Sequence, residues 1–123
     1  MSCSNPGDEW LETLEQDAMA SVQVPNGDLE WDNRLAGSTG GPFGAKPSTS
    51  TISRSFVVPP AEVSATTALL VTEAENAGWE LEDTSTSTFD RFVGDRRAND
   101  VRVTLTITAR PEGRVTIFLT GAG

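Results

Sequence analysis

The chain has 123 residues, enough for one domain, and a formal net charge of −9 that disfavours nucleic acid and anionic lipid as direct partners. The absence of His excludes histidine acid–base catalysis and histidine metal ligation, and a single Cys excludes an internal disulfide. No apolar run approaches the roughly 20 residues that a membrane-spanning helix needs.

The first part of the chain predicts a tether, a short helix and a loop. Residues 1–7 are rich in Ser, Asn, Pro and Gly and are expected to be flexible. Asp8 suits the N-cap of a helix, and 29–31 suits a short extended stretch. Residues 37–50 have loop composition, with Phe43 as their one large apolar residue. The apolar residues at helical spacing after the N-cap are Trp10, Leu11, Leu14 and Ala18.

A strand and a helix are predicted next. Residues 51–58 alternate as a strand does, although Arg54 interrupts the apolar side and is expected near an edge. Pro59 and Pro60 suit the start of a helix, and Gly78 suits its C-cap. The apolar stripe of this helix is Val63, Thr67, Leu70, Ala74 and Ala77.

The remaining sequence predicts three strands. Residues 79–88 begin apolar and continue as a polar stretch, which indicates a strand at an edge of the sheet. Residues 90–100 are expected to be a charged loop. The segments 101–109 and 114–120 alternate apolar and polar residues around a short Gly-containing turn, which predicts a β-hairpin.

These elements predict an α+β fold in three segments: a tether (1–7), a helix and loop (8–50), and a compact domain (51–123). The expected architecture is a two-layer sandwich with strand-helix-strand-strand-strand order and an antiparallel or mixed sheet. One sheet face is expected to be open, or covered only by the N-terminal segment. The expected buried layer is Phe56, Val63, Leu70, Ala74, Trp79, Leu81, Val103, Leu105, Ile107, Val115, Ile117 and Leu119.

The polar face of the hairpin carries the candidate binding residues. An outward Phe beside several Arg residues is typical of a protein-contact patch, and we assign it to Arg102, Arg110, Arg114 and Phe118. The alternative is that residues 1–36 fold over this face, because Trp10, Leu14 and Trp31 need burial. The Thr rows of the two strands suit an exposed sheet surface without further meaning.

Cys3 is followed by Ser-Asn-Pro-Gly and then by an acidic helix. Together with the segment 14–20 and the pair Gly78-Trp79 after an Ala-rich helix, this pattern resembles small actinobacterial lipoproteins of unknown function. The resemblance implies that Cys3 is lipidated at its thiol and amine, with a flexible polar tether after it, and that the domain is extracytoplasmic. The alternatives are an incidental thiol and a cytoplasmic protein.

Carboxylates do not form a convincing catalytic or metal site in the sequence. Asp90, Asp95, Asn99 and Asp100 are oxygen ligands of the kind that hard cations take, but the interspersed Arg residues favour self-neutralising surface charge. Paired carboxylates such as Glu80 with Glu82 lack any sign of burial. We therefore expect no metal, no cofactor and no enzyme activity.

The sequence leaves two functions open. The first is a non-catalytic, extracytoplasmic lipoprotein-type domain, acting as a monomer in binding or envelope structure and touching the membrane only through a lipid on Cys3. The second is an immunity- or inhibitor-like protein that masks a basic partner protein. Its acidic surface would be Glu9, Glu12, Glu15, Asp17, Asp28, Glu30 and Asp32.

Overall fold

The computed structural model describes residues 6–39 and 47–123. They form an α+β fold with a six-stranded antiparallel sheet and two α-helices. The strands lie in the order β1-β2-β6-β5-β4-β3, and every pairing is antiparallel. In chain order the elements are α1 (Pro6–Glu15), β1 (Asp28–Leu35), β2 (Ser50–Val57), α2 (Val63–Asn76), β3 (Glu82–Asp83), β4 (Asp90–Ala98), β5 (Val101–Ala109) and β6 (Arg114–Ala122).

The predicted C-terminal hairpin is confirmed. β5 and β6 pair along their length, with Leu105 opposite Leu119 and Ile107 opposite Ile117. Their turn requires Gly113, whose φ of 117° lies in a region that side chains rarely adopt and whose missing Cβ leaves room for the carbonyl of Val58. Alternate residues of both strands are therefore buried on one face of the sheet.

Helix α2 also forms where the sequence predicts it. Its buried residues include Val63, Leu70 and Ala74, which join the same hydrophobic core as the alternate residues of β5 and β6. Gly78, with a φ of 96°, ends the helix, and the Trp79 N–H then donates to the Ala74 carbonyl at 3.0 Å. This is the Schellman arrangement that a C-terminal Gly favours.

Residues 90–100 are not a loop, and the prediction of one is wrong. They form β4 and the turn that joins β4 to β5 in a second hairpin. Four strands rather than three therefore follow α2. The turn residues Asn99 and Asp100 both have positive φ, 51° and 62°, which is the geometry of a tight two-residue hairpin turn. The segment has the composition of a loop because the alternate residues of β4 on the polar face of the sheet include the charged residues Arg91, Asp95 and Arg97.

The strand predicted over 79–88 is reduced to Glu82–Asp83 at the edge of the sheet. Trp79 is buried in the core before this strand begins. After it, the backbone N–H groups of Thr84 and Thr86 donate to the carbonyls of Arg91 and Phe89. The polar stretch therefore closes as a turn onto β4, because its short polar side chains offer no apolar surface to extend a strand.

The N-terminal part of the chain belongs to the same sheet and core as residues 51–123. β1 is longer than the predicted 29–31 stretch and pairs with β2. Leu14 of α1 is fully buried and lies where a Cβ at Gly121 of β6 would meet it. Helix α1 thus packs on the same face as α2, rather than over the polar face of the hairpin.

Arg54 lies one strand from the edge of the sheet, near an edge as the sequence suggested, but it is buried. It is in β2, between β1 and β6, and its residue is only 5% exposed. Burial is possible because its guanidinium is paired with Asp32 and donates to the carbonyl of Val22 at 2.8 Å.

Candidate functional site

The candidate site is the face of the sheet opposite the two helices, which we call the open face. Residues directly opposite each other in antiparallel strands lie on the same face of the sheet. The open face can therefore be followed from the polar residues of the β5–β6 hairpin to the other strands through the strand registers. On β1, β2 and β6 they are Trp31, Asn33, Leu35, Thr51, Ser53, Ser55, Val57, Arg114, Thr116, Phe118 and Thr120. On β5 and β4 they are Arg102, Thr104, Thr106, Thr108, Arg91, Val93, Asp95 and Arg97.

Hydroxyl-bearing side chains are the largest group on the open face, and large apolar side chains lie among them. In the described residues, four of the five exposed large hydrophobic side chains lie on this face. They are Trp31, Leu35, Val57 and Phe118. Scattered apolar side chains need no explanation by themselves, but four on one uncovered face mark a candidate contact surface.

One end of the open face carries an aromatic ring held by polar contacts. The Trp31 indole N–H donates to the Ser53 hydroxyl at 3.3 Å. The guanidinium carbon of Arg114 lies 5.7 Å from the centre of the Trp31 ring, and Arg114 is ion-paired with Glu30 at 3.2 Å. Trp31 is therefore oriented rather than free. The sequence analysis missed it as a site residue because its strand showed only weak alternation.

The predicted contact patch is dispersed over the sheet. Phe118 lies in the middle of the open face, between Ser53 and Thr106. Arg114 begins β6, whereas Arg102 lies opposite Ala122, eight residues further along, or roughly 27 Å at about 3.4 Å per residue. The structure thus places Phe118 and two Arg residues on one face but does not bring the guanidinium groups together.

Arg110 is the remaining member of the predicted patch. It lies in the β5–β6 turn, where its N–H donates to the Arg114 carbonyl at 2.8 Å. Its guanidinium carbon is 5.5 Å from the centre of the Phe89 ring, a residue outside the open face. Arg110 therefore belongs to the rim at the turn.

The helix face carries a buried polar cluster that the sequence did not reveal. Asp17 was expected on the acidic surface of the N-terminal half, but it is 7% exposed. Its carboxylate accepts from the Trp79 indole N–H at 3.2 Å, from Arg96 at 2.5 Å and from the Met19 N–H at 2.9 Å. Arg96 also stacks on the Trp79 ring, 4.4 Å from its centre. These contacts join the segment after α1 to the end of α2 and to β4.

A second ion-pair network holds β1 to the segment that precedes it. Asp32 accepts from Arg34 at 2.9 Å and from Arg54 at 3.2 Å, and Arg34 also pairs with Glu15. The hydrogen bond from Arg34, opposed by partial burial and reinforced by the charges of both Arg residues, lowers the pKa of Asp32. Arg34 further donates to the Ala20 carbonyl at 2.9 Å, so the network fixes backbone as well as side chains.

The acids of the charged β4 segment are distributed along the strand and its turn. Asp95 accepts from the Thr104 hydroxyl at 2.5 Å, and its other oxygen lies 3.9 Å from Arg102. Within residues 6–39 and 47–123, no three His, Cys, Asp or Glu side chains are grouped as a metal site requires.

Cys3 and Phe43, the predicted lipidation site and loop anchor, lie outside the described residues.

Comparison with known proteins identifies no relative, since no protein-family model, no curated protein and no solved structure matches the chain. In the part of the chain that the structure describes, no helix combines the length and the hydropathy needed to cross a bilayer.

Proposed function

We propose that this domain is a non-catalytic binding module that holds a protein partner on its open face. The observation that carries the proposal is the placement of both helices on one side of the sheet, which leaves Trp31, Leu35, Val57 and Phe118 exposed on the other. Surrounding hydroxyl and guanidinium groups supply the polar contacts that a protein interface needs at its rim. The proposal includes the two-layer sandwich as the arrangement that keeps this face accessible.

The ion pairs favour this proposal over the masking of a basic partner by the acidic N-terminal half. Four of the seven acids expected on that surface have internal cationic partners: Glu15 and Asp32 with Arg34, Asp17 with Arg96, and Glu30 with Arg114. A carboxylate already neutralised in this way offers little to a basic protein. Only Glu9, Glu12 and Asp28 of the predicted set make no ion pair in the described part of the chain.

We further propose that the domain is extracytoplasmic and anchored by a lipid on Cys3. The support is the position of Cys3, three residues before the start of α1 at Pro6. Because α1 packs on the helix face, an anchor at this end of the chain leaves the open face available. Metabolic labelling with an alkyne fatty acid should mark the protein in its native host, and a Cys3→Ser variant should lose the label. A labelled Cys3→Ser variant, or an unlabelled native protein, contradicts the anchor.

Site-specific photo-crosslinking in producing cells tests the binding face. A benzoylphenylalanine at Phe118 should yield a discrete crosslinked complex, and the same group at Glu73, exposed on α2, should not. The complex should disappear when Trp31→Ser is added, provided that circular dichroism shows an unchanged fold. Crosslinking of equal yield from both positions, or none from Phe118, contradicts the proposal.

A further inference from the structure

Strand β1 forms one edge of the sheet, and every residue of it is exposed. An edge strand presents unpaired backbone N–H and C=O groups to any further strand, and proteins commonly protect such edges. The opposite edge is protected, because β3 has only two residues, both acidic. β1 instead has eight residues and carries three of the five exposed large hydrophobic side chains among the described residues: Leu29, Trp31 and Leu35.

The regular part of β1 has a defined centre. The β1–β2 register shifts between Leu29 and Trp31, where a bulge disrupts the ladder, and then runs without interruption from Trp31 to Leu35. An uninterrupted edge of five residues is therefore available, with Asn33 at its middle. A second strand that pairs here without meeting the bulge is confined to this stretch.

This stretch is complementary to itself in antiparallel orientation. With Asn33 of one copy opposite Asn33 of another, Trp31 lies opposite Leu35, and Asp32 lies opposite Arg34. Trp31 and Leu35 both belong to the open face, so the two apolar pairs meet on the same side of the joined sheets. Asp32 and Arg34 lie on the helix face and are already paired with each other within each copy, so this register sets opposite charges against each other and brings no like charges together.

We propose that this protein forms a symmetric dimer through the β1 edges, in the register centred on Asn33, with a second copy of this chain as the occupant. The dimer replaces the monomer expected from the sequence and joins two six-stranded sheets into one. Cross-strand pairing of opposite charges and of apolar side chains is what selects a copy over an unrelated strand. The dimer uses Trp31 and Leu35, which also belong to the proposed binding face, whereas Phe118 lies two strands from the edge. A Leu35→Glu variant that loses the dimer but keeps the crosslink from position 118 therefore separates the two proposals.

The interface is small, so the dimer is expected to be weak. Five paired residues on each side bury less than a standard interface, which places the Kd between about 1 µM and about 1 mM. Sedimentation velocity of the chain with Cys3→Ser, from micromolar to millimolar concentration, should show a reversible monomer–dimer equilibrium. A monomer at every concentration overturns the proposal and leaves the edge to another polypeptide or to none.

Two variants of equal charge test the surface. Leu35→Glu should raise the dimer Kd at least about tenfold, because it places a carboxylate against the Trp31 ring of the other copy. Val57→Glu alters another exposed apolar residue of the same face, but in β2 rather than at the edge, and should change the Kd less than about threefold. Equal effects of the two variants overturn the assignment to the β1 edge.

Oxidative crosslinking tests the register. In the Cys3→Ser background, Asn33→Cys places two thiols directly opposite each other and should give a disulfide-linked dimer. Leu29→Cys lies in the same strand and is also exposed, but its two thiols would be about eight residues, or roughly 27 Å, apart, beyond the reach of a disulfide. Linkage through Leu29→Cys but not through Asn33→Cys overturns the proposed register, and linkage only through Asn33→Cys supports it.

Discussion

Adjacent residues of the β5–β6 hairpin lie on opposite faces of the sheet and in very different environments. Ile117 points to the helix face and is fully buried, whereas the next residue, Phe118, is 38% exposed on the open face. Both residues belong to the same strand and to the same β5–β6 ladder of backbone hydrogen bonds. The comparison shows that the fully buried side chains of the hairpin lie where the helices cover the sheet, and that the open face keeps a large apolar side chain exposed.

The largest expected change in the free energy of unfolding comes from a comparison in which Thr replaces one residue on each face of the hairpin. Ile117→Thr should lower the free energy of unfolding by about 2 to 4 kcal/mol, because it creates a cavity and buries a hydroxyl. Phe118→Thr should lower it by less than about 1 kcal/mol, because Thr suits an exposed strand. Urea unfolding followed by tryptophan fluorescence measures both. Equal losses would show that the open face is covered in solution.

The polar cluster of the helix face should give the next largest effect. Asp17→Ala leaves the Trp79 indole N–H and the partly buried Arg96 without their acceptor and should cost about 2 to 3 kcal/mol. Glu12→Ala removes the same charge from an exposed position and should stay within about 0.5 kcal/mol. A double-mutant cycle with Arg96→Met should show strong coupling to Asp17, and additive losses would contradict the pairing.

The smallest expected effect is the pH dependence that Asp32 adds. Its folded-state pKa is lowered, first by the hydrogen bond from Arg34. Its ionised form therefore stabilises the fold above the unfolded-state pKa of about 4, and this contribution is lost as the pH falls through the lower folded-state value. Asp32→Asn should be less stable than wild type at pH 7, with the difference shrinking below about pH 4.

Asp28→Asn is the control for Asp32, because Asp28 lies in the same strand and makes no ion pair in the described part of the chain. Its stability should follow that of wild type between pH 7 and pH 3. A parallel pH profile for wild type and Asp32→Asn would show that the Asp32 network does not persist in solution.

Segments with strict local patterns were predicted well. The alternation of residues 101–120 and the Pro–Pro start and Gly end of α2 each carry their own signal, because period-2 and helical patterns follow from backbone geometry alone. β4 was missed because its charged residues suggested a loop, although Asn99 and Asp100 are residues that tolerate the positive φ of a tight turn. Asp17 was misplaced because its burial depends on Trp79 and Arg96, which are distant in sequence.

The sequence by itself determined the fold class, the C-terminal hairpin and α2, since each depends on contacts among neighbouring residues. Only the tertiary structure decided which face α1 covers, which carboxylates are paired, and that β1 lies at an edge with Trp31 and Leu35 exposed. Those properties depend on how segments far apart in the chain pack against the same apolar surface. The order of strands in a sheet likewise depends on all the strands and cannot be read from any one segment.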